Sequence, residues 1–279
     1  VTTPSQVPVR YPSGVTSDYP WGPLANSGAG NPFFYQVLQD DFMGAVSGNE
    51  NWQAVTSGTG ATVTEVAGDG GQWLLTTSSS GAGTAGILGN KGNFVIPPAA
   101  STGTGLAATR FSSKKLFYLA RINVTVVAST TIYAGLMPST TTTSLPTDGL
   151  FFVFTNATTV ALKAYSGSTN TWSVSIPAAV LTASYTNATW IDVGFYMDRL
   201  MNVYVFFGFP LVGWVPASAW TGVNNTTAAP PPLGAVAAYQ VSTSGAWTPS
   251  TATTLTPGVI ADATAETVYV DFMMASKER

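Results

Sequence analysis

The sequence predicts an all-β protein: a two-sheet antiparallel β-sandwich of jelly-roll type preceded by an extended N-terminal arm. Three observations carry this. Apolar, β-branched and aromatic residues alternate with polar ones at period two, most clearly in Trp190–Asp198. There Ile191, Val193, Phe195 and Met197 take one face and Asp192, Gly194, Tyr196 and Asp198 the other. Turn residues interrupt such runs every ten residues or so, giving about 14 short strands. Helical periodicity is almost absent, with Pro177–Leu181 as the one candidate for a helical turn. No repeat recurs at fixed spacing, which argues against a propeller or solenoid.

Residues 1–39 differ from the rest. They hold Pro4, Pro8, Pro12, Pro20, Pro23 and Pro32, which disfavour both helix and central strand, so an extended arm is expected. The arm also carries Tyr11, Tyr19, Trp21, Phe33, Phe34 and Tyr35. A freely solvated tail has little use for these rings, so they are expected to contact the sandwich or a neighbouring subunit.

The sandwich domain is expected over residues 40–279. Its early strands are Asp41–Val46, Asn51–Val55, Ala61–Val66 and Gln72–Thr77, with a hairpin turn at Gly68–Gly71. Thr76–Thr84 reads as loop, followed by short strands at Gly86–Leu88 and Asn93–Ile96. Leu116–Val127 is a long strand with Arg121 on the face of Phe117, Leu119 and Asn123. Thr131–Met137, Gly149–Thr155, Thr158–Tyr165 and Thr171–Ile176 follow. The meander then runs through Trp190–Asp198, Leu200–Phe207 and Leu211–Val215. Beyond it, Pro216–Gly258 reads mainly as Thr/Ala/Pro-rich loop, with strands at Ala235–Val241 and Ala252–Leu255. The last strand is Glu266–Ala275, with Val268, Val270 and Phe272 opposing Tyr269, Asp271 and Met273.

Charge sets the function classes aside one by one. Only 8% of residues are charged, against roughly a quarter in an ordinary soluble domain. So neutral a surface suits packing against neighbours. The net charge is −3 and the ten basic residues are scattered, which argues against nucleic acid. The apolar stretch Asn202–Val215 is too short to span a bilayer, so no membrane is expected as a partner. The first residues lack a charged region followed by an apolar one, so a signal peptide is not expected.

With no Cys and no His, disulfides, thiolate sites and most nucleophilic triads are excluded. A glycoside hydrolase needs two carboxyls about 5–9.5 Å apart, and no strand carries acids two positions apart. No catalytic residues are therefore expected. Asp40, Asp41, Asp148, Asp192 and Asp271 could in principle ligate Ca²⁺, but no loop has a calcium-binding pattern, and no cofactor or metal is expected. A glycan is a possible ligand, with Trp220 and Trp247 as candidate contacts because they fall in loops; burial under those loops or at a subunit contact is the competing reading.

The segments DDFMG, NWQAV, GGQWLLTT, FYLARINV, IYAGLM, DGLFFVF, WIDVGFYMD, NVYVFFGFPLVG and TVYVDFMMA together resemble tailed-phage virion proteins of concanavalin-like (laminin-G/lectin type) jelly-roll fold. They are most similar to head decoration or cement proteins, over residues 40–275. The resemblance implies a first strand, Asp41–Val46, beside the last. It implies a non-enzymatic cement subunit on the capsid exterior, a homo-oligomer (a trimer in particular), contacting the major capsid protein and copies of itself. On that reading Val1–Tyr35 and Pro216–Gly234 bury apolar area across subunit boundaries. A receptor-binding or tail-fibre lectin module is the alternative, and a glycoside hydrolase the third.

Overall fold

The computed structural model describes residues 35–40, 51–66, 71–79, 81, 83–90, 94, 115–124, 131–139, 146–156, 159–176, 189–197, 203–209, 213–214, 226–227, 239–241 and 254–278. These form seventeen strands and no helix. In chain order they are β1 (Tyr35–Asp40), β2 (Trp52–Ser57), β3 (Thr62–Val66), β4 (Gln72–Thr76), β5 (Gly83–Gly89) and β6 (Leu116–Val124). Then come β7 (Thr131–Pro138), β8 (Gly149–Asn156), β9 (Thr159–Ser166), β10 (Thr169–Ser175), β11 (Thr189–Met197) and β12 (Val203–Phe209). The short β13 (Gly213–Trp214), β14 (Thr226–Thr227) and β15 (Tyr239–Val241) precede the long β16 (Leu255–Ala263) and β17 (Thr267–Glu278).

The strands build two antiparallel sheets, as expected. Sheet A has the order β14-β15-β12-β11-β6-β17-β4-β3, with β1 also on β17 and β13 also on β12. Sheet B has the order β10-β9-β8-β7-β16-β5-β2. One core joins them, filled by alternate residues of each strand: Tyr118, Ala120, Ile122, Val124, Ile191, Val193, Phe195, Val203, Val205 and Phe207 from sheet A meet Ile87, Ala134, Leu136, Phe152, Leu162 and Val259 from sheet B. The faces expected for β11 are those observed. Tyr118 crosses the core, its hydroxyl donating to the Gly258 carbonyl at 3.2 Å. Full burial raises its pKa and keeps it a neutral donor. Tyr118→Phe is expected to cost about 1 kcal/mol and lower Tm by about 3 °C in calorimetry, since one neutral bond is lost and no cavity opens.

Several expectations shift. The strand that pairs with β17 is β1, Tyr35–Asp40, which lies mostly within the segment assigned to the arm. Asp41–Val46, Val1–Phe34, Pro177–Leu181 and Pro216–Gly234 (Thr226–Thr227 apart) lie outside the described residues. β5 begins at Gly83, inside the expected loop, because small residues here form a buried strand between β2 and β16. Of Asn93–Ile96 only Phe94 pairs among the described residues, as a bridge to Leu255. The largest difference is β16. The expected strand Ala252–Leu255 stops where the observed one begins, and Leu255–Ala263 lies inside sheet B although it contains Pro257. Pro257 is tolerated because it pairs only with β7, opposite Leu136; pairing with β5 starts at Gly258.

The β9–β10 hairpin turns through Gly167 (φ 56°) and Ser168 (φ 66°), the two left-handed positions that a two-residue type I′ turn requires. Asp148 steadies it by accepting from the Gly167 N–H at 3.0 Å and the Thr147 hydroxyl at 2.9 Å.

Candidate functional site

The outer face of sheet A, turned away from the core, divides into two halves. One is apolar: Phe117, Leu119, Tyr196, Phe206, Phe272 and Met274. The other is polar and aromatic, and every side chain in it is half-buried. Two cross-strand rows build the polar half. In the first, Asn123 of β6 stands between Trp190 of β11 and Tyr269 of β17. The two rings lean together over it, with centroids 6.5 Å apart. In the second, Arg121 stands opposite Asp192 on β11 and opposite Phe272 on β17, beside Asp271.

A β-bulge makes the second row possible. The β6–β17 register slips between Val270 and Phe272. Asp271 is the extra residue, and it reverses the alternation of everything after it. Val268, Val270, Met273 and Ala275 enter the core, while Phe272 and Met274 join the outer face. The expected split, with Phe272 beside Val268 and Val270 and with Met273 beside Asp271, is therefore corrected. Strict alternation assumed an unbulged strand, and bulges commonly re-aim side chains in this way.

Arg121 is a fork held by two carboxylates. Its Nε lies 2.7 Å from Asp192 Oδ1 and its Nη2 3.1 Å from Asp192 Oδ2, a bidentate pair. Its Nη1 lies 3.6 Å from Asp271 Oδ2. Burial pushes the Asp192 carboxyl up, more than the hydrogen bond and charge of Arg121 pull it down. Burial likewise raises Asp271, against the Arg121 charge and a hydrogen bond from Gln72, and the Asp192 charge adds to the rise. One cation thus serves two desolvated anions, leaving the cluster at net −1.

A carboxyl raised in the folded state takes its proton before the unfolded chain does. Its contribution to stability is full below the ordinary value of 3.8 and is lost as pH rises through the raised one. The pair is thus expected to favour the fold more at about pH 4.5 than at pH 7. Asp271→Asn, which leaves the bidentate pair neutral, is expected to flatten that dependence and keep neutral-pH stability within about 0.5 kcal/mol, as read by urea unfolding at both pH values.

The candidates named from the sequence fall elsewhere. Tyr11, Tyr19, Trp21, Phe33, Phe34, Trp220 and Trp247 lie outside the described residues, and Tyr35 opens β1. Asp192 and Asp271, named as possible Ca²⁺ ligands, face Arg121 instead. Among the described residues no three acids gather as a metal site. Asn123, which begins an Asn-x-Thr sequence, stands half-buried in mid-sheet, and its Oδ1 is buried without a hydrogen-bond partner. Trp190 and Tyr269 were absent from the candidates, because their pairing through Asn123 depends on cross-strand register.

No family model matches this chain, and no curated protein sequence matches it. Among solved structures it is similar to a protein of unknown function from Shewanella oneidensis MR-1, with a TM-score of 0.54 and 12% identity over 88% of this chain and 87% of that one. Looser likenesses include the potassium-bound carbohydrate recognition domain of Emp46p, with a TM-score of 0.44 and 8% identity over 81% of this chain and 88% of that one. A third is botulinum neurotoxin type C, with a TM-score of 0.41 and 7% identity over 81% of this chain but only 43% of the toxin chain. These likenesses are of fold. The chain is an all-β, two-sheet antiparallel sandwich.

Proposed function

We propose that this chain is a non-catalytic binding module that presents a glycan platform on the outer face of sheet A. One observation carries the proposal: Trp190 and Tyr269 flank Asn123 in one cross-strand row, and Asp192, Arg121 and Asp271 lie in the next. Sugars are recognised by an aromatic face against the apolar side of the ring and by planar polar groups that pair with vicinal hydroxyls. Both kinds of group stand here on rigid strands. The two carboxylates share one guanidinium that lies between them, which suits an orienting polar row, so binding without hydrolysis is the reading favoured.

A glycan array probed with the full chain tests it. Binding of at least one neutral or amino sugar is expected, weakened tenfold or more by Trp190→Ala and retained by Trp220→Ala and Trp247→Ala. Binding that ignores Trp190 and disappears with either loop tryptophan would move the site to the loops.

A second reading is a virion cement subunit on the capsid exterior, oligomeric and in contact with the major capsid protein. It draws on the resemblance to head decoration proteins and on the 8% charge. It is tested by co-purification with capsids at a fixed copy number. A truncated chain starting at Asp40 that binds particles as tightly as the full chain would remove the arm from that role.

A further inference from the structure

We propose that the platform on the polar half of the outer face selects sugars that carry a free ammonium group over their neutral counterparts, with the ammonium seated at Asp271 beside Tyr269. This rests on the reading of that face as a glycan platform and adds the class of sugar. The arrangement is a grid of two rows on three strands. Trp190 and Asp192 stand two positions apart on β11, Asn123 and Arg121 on β6, and Tyr269 and Asp271 on β17. Two positions of strand span about 7 Å, so each ring has a carboxylate as its next neighbour on the same face. The planes of Trp190 and Tyr269 are tilted by 59° rather than stacked on each other. A sugar lying with its C–H side on either ring points its equatorial substituents sideways along the sheet, and one of those directions leads to a carboxylate.

Charge decides which substituent fits. Both oxygens of Asp192 take Arg121, at 2.7 and 3.1 Å, and the two side chains form a neutral pair. Asp271 meets Arg121 more loosely, Nη1 standing 3.6 Å from Oδ2, and it is the most exposed of the three side chains at 22%. Burial raises its carboxyl in spite of Arg121 and of the hydrogen bond from Gln72, and the Asp192 charge adds to the rise. Its negative charge is therefore under-compensated, and a second cation is what the cluster lacks. An ammonium arriving there also gains from the neighbouring ring, whose quadrupole attracts a cation. A hydroxyl gains neither, and an acetamido group puts a bulkier neutral substituent in the cation's place. In a chain with only 8% charged residues, few other charges compete for the ligand.

Isothermal titration calorimetry of the full chain at about pH 6, where a sugar amine is protonated, compares a glucosamine hexamer with the same hexamer fully N-acetylated. The amine form is expected to bind about tenfold tighter or more, and to weaken as salt rises, since partly exposed charges are screened. Asp271→Asn is expected to reduce that ratio about fivefold or more. Because the ratio compares two ligands on one protein sample, a variant that folds only in part still reports it. Glu65→Gln removes the same charge from an exposed position on β3 and is expected to keep the ratio. A loss equal to that of Asp271→Asn would mean attraction to the net charge of the chain, and would overturn the proposal. So would a smaller wild-type preference, a smaller effect of Asp271→Asn, or failure of both hexamers to bind. In each of those cases, a sugar that still binds through Trp190 leaves the platform standing; if none does, both readings fall.

Discussion

Gly135→Ala is expected to destabilise the protein by about 3 kcal/mol and to lower Tm by roughly 10 °C. A Cβ built at Gly135 falls 2.4 Å from Phe151 Cα, 2.5 Å from Leu150 O and 2.5 Å from Phe151 Cβ. These atoms are the backbone of β8 and the root of its side chain, directly opposite Gly135 in the β7–β8 ladder. No rotamer change clears them. The two strands have to separate in the middle of sheet B, and the ring above cannot follow freely. Phe151 is fully buried, stacked on Tyr165 at 5.3 Å and edge-on to Tyr133 at 5.7 Å. Tyr133 itself is pushed up to about 12, by burial first and then by the nearby Asp262 and Tyr165, so it stays uncharged against this cluster. The control is Phe151→Ala in the Gly135→Ala background. If the clash is with backbone, truncating the ring restores nothing; recovery of Tm would mean that the ring, not the strand, was the obstacle.

Much of this fold could be read from periodicity, and the exceptions have common causes. β11 and β12 alternate without a break, so their core and outer faces followed directly from spacing. Burial on both faces defeats the same reasoning. Every residue of β5 is buried; Gly86–Leu88 reads as strand, but the small residues at its start, with no polar face, read as loop. β16 starts within the stretch that reads mainly as Thr/Ala/Pro-rich loop; its Pro257 is accommodated because the missing N–H matters only where a neighbour needs it, and pairing on that side begins one residue later. The bulge at Asp271 inverted the last strand. Nothing local distinguishes a bulged residue from a paired one, because the slip is decided by the partner strand.

The site was legible only in parts. The sequence places Arg121 with Phe117, Leu119 and Asn123, and Asp192 with Tyr196, and both groupings hold. Missing was the register that sets Arg121 against Asp192, which lies 71 positions away. A search for carboxyl pairs along one strand could not find two acids that meet from β11 and β17 with an arginine between them. The signal available was weaker: a lone Arg within an apolar strand of a chain with 8% charge, which needs a buried partner somewhere.

That need makes Arg121→Met the sharpest probe of the outer face. The substitution keeps the packing of the side-chain stem and removes the charge, leaving Asp192 and Asp271 facing each other at 15% and 22% exposure. Deleting one partner of a buried ion pair costs about 3–5 kcal/mol. Partial exposure puts this case lower, at about 2 kcal/mol at pH 7. The loss should shrink on acidification. Without the guanidinium both carboxyls rise further, protonate in the folded state first, and cease to repel as pH falls toward 3.8, the ordinary value. Adding Asp192→Asn and Asp271→Asn to Arg121→Met is expected to return most of the lost stability at pH 7, because three desolvated charges are then replaced by neutral groups. The same triple variant separates stability from recognition. With the fold restored and the charged row gone, glycan binding is expected to stay at least tenfold weaker than wild type. Should binding recover along with stability, the row serves only to hold three strands together, and the platform reduces to Trp190 and Tyr269.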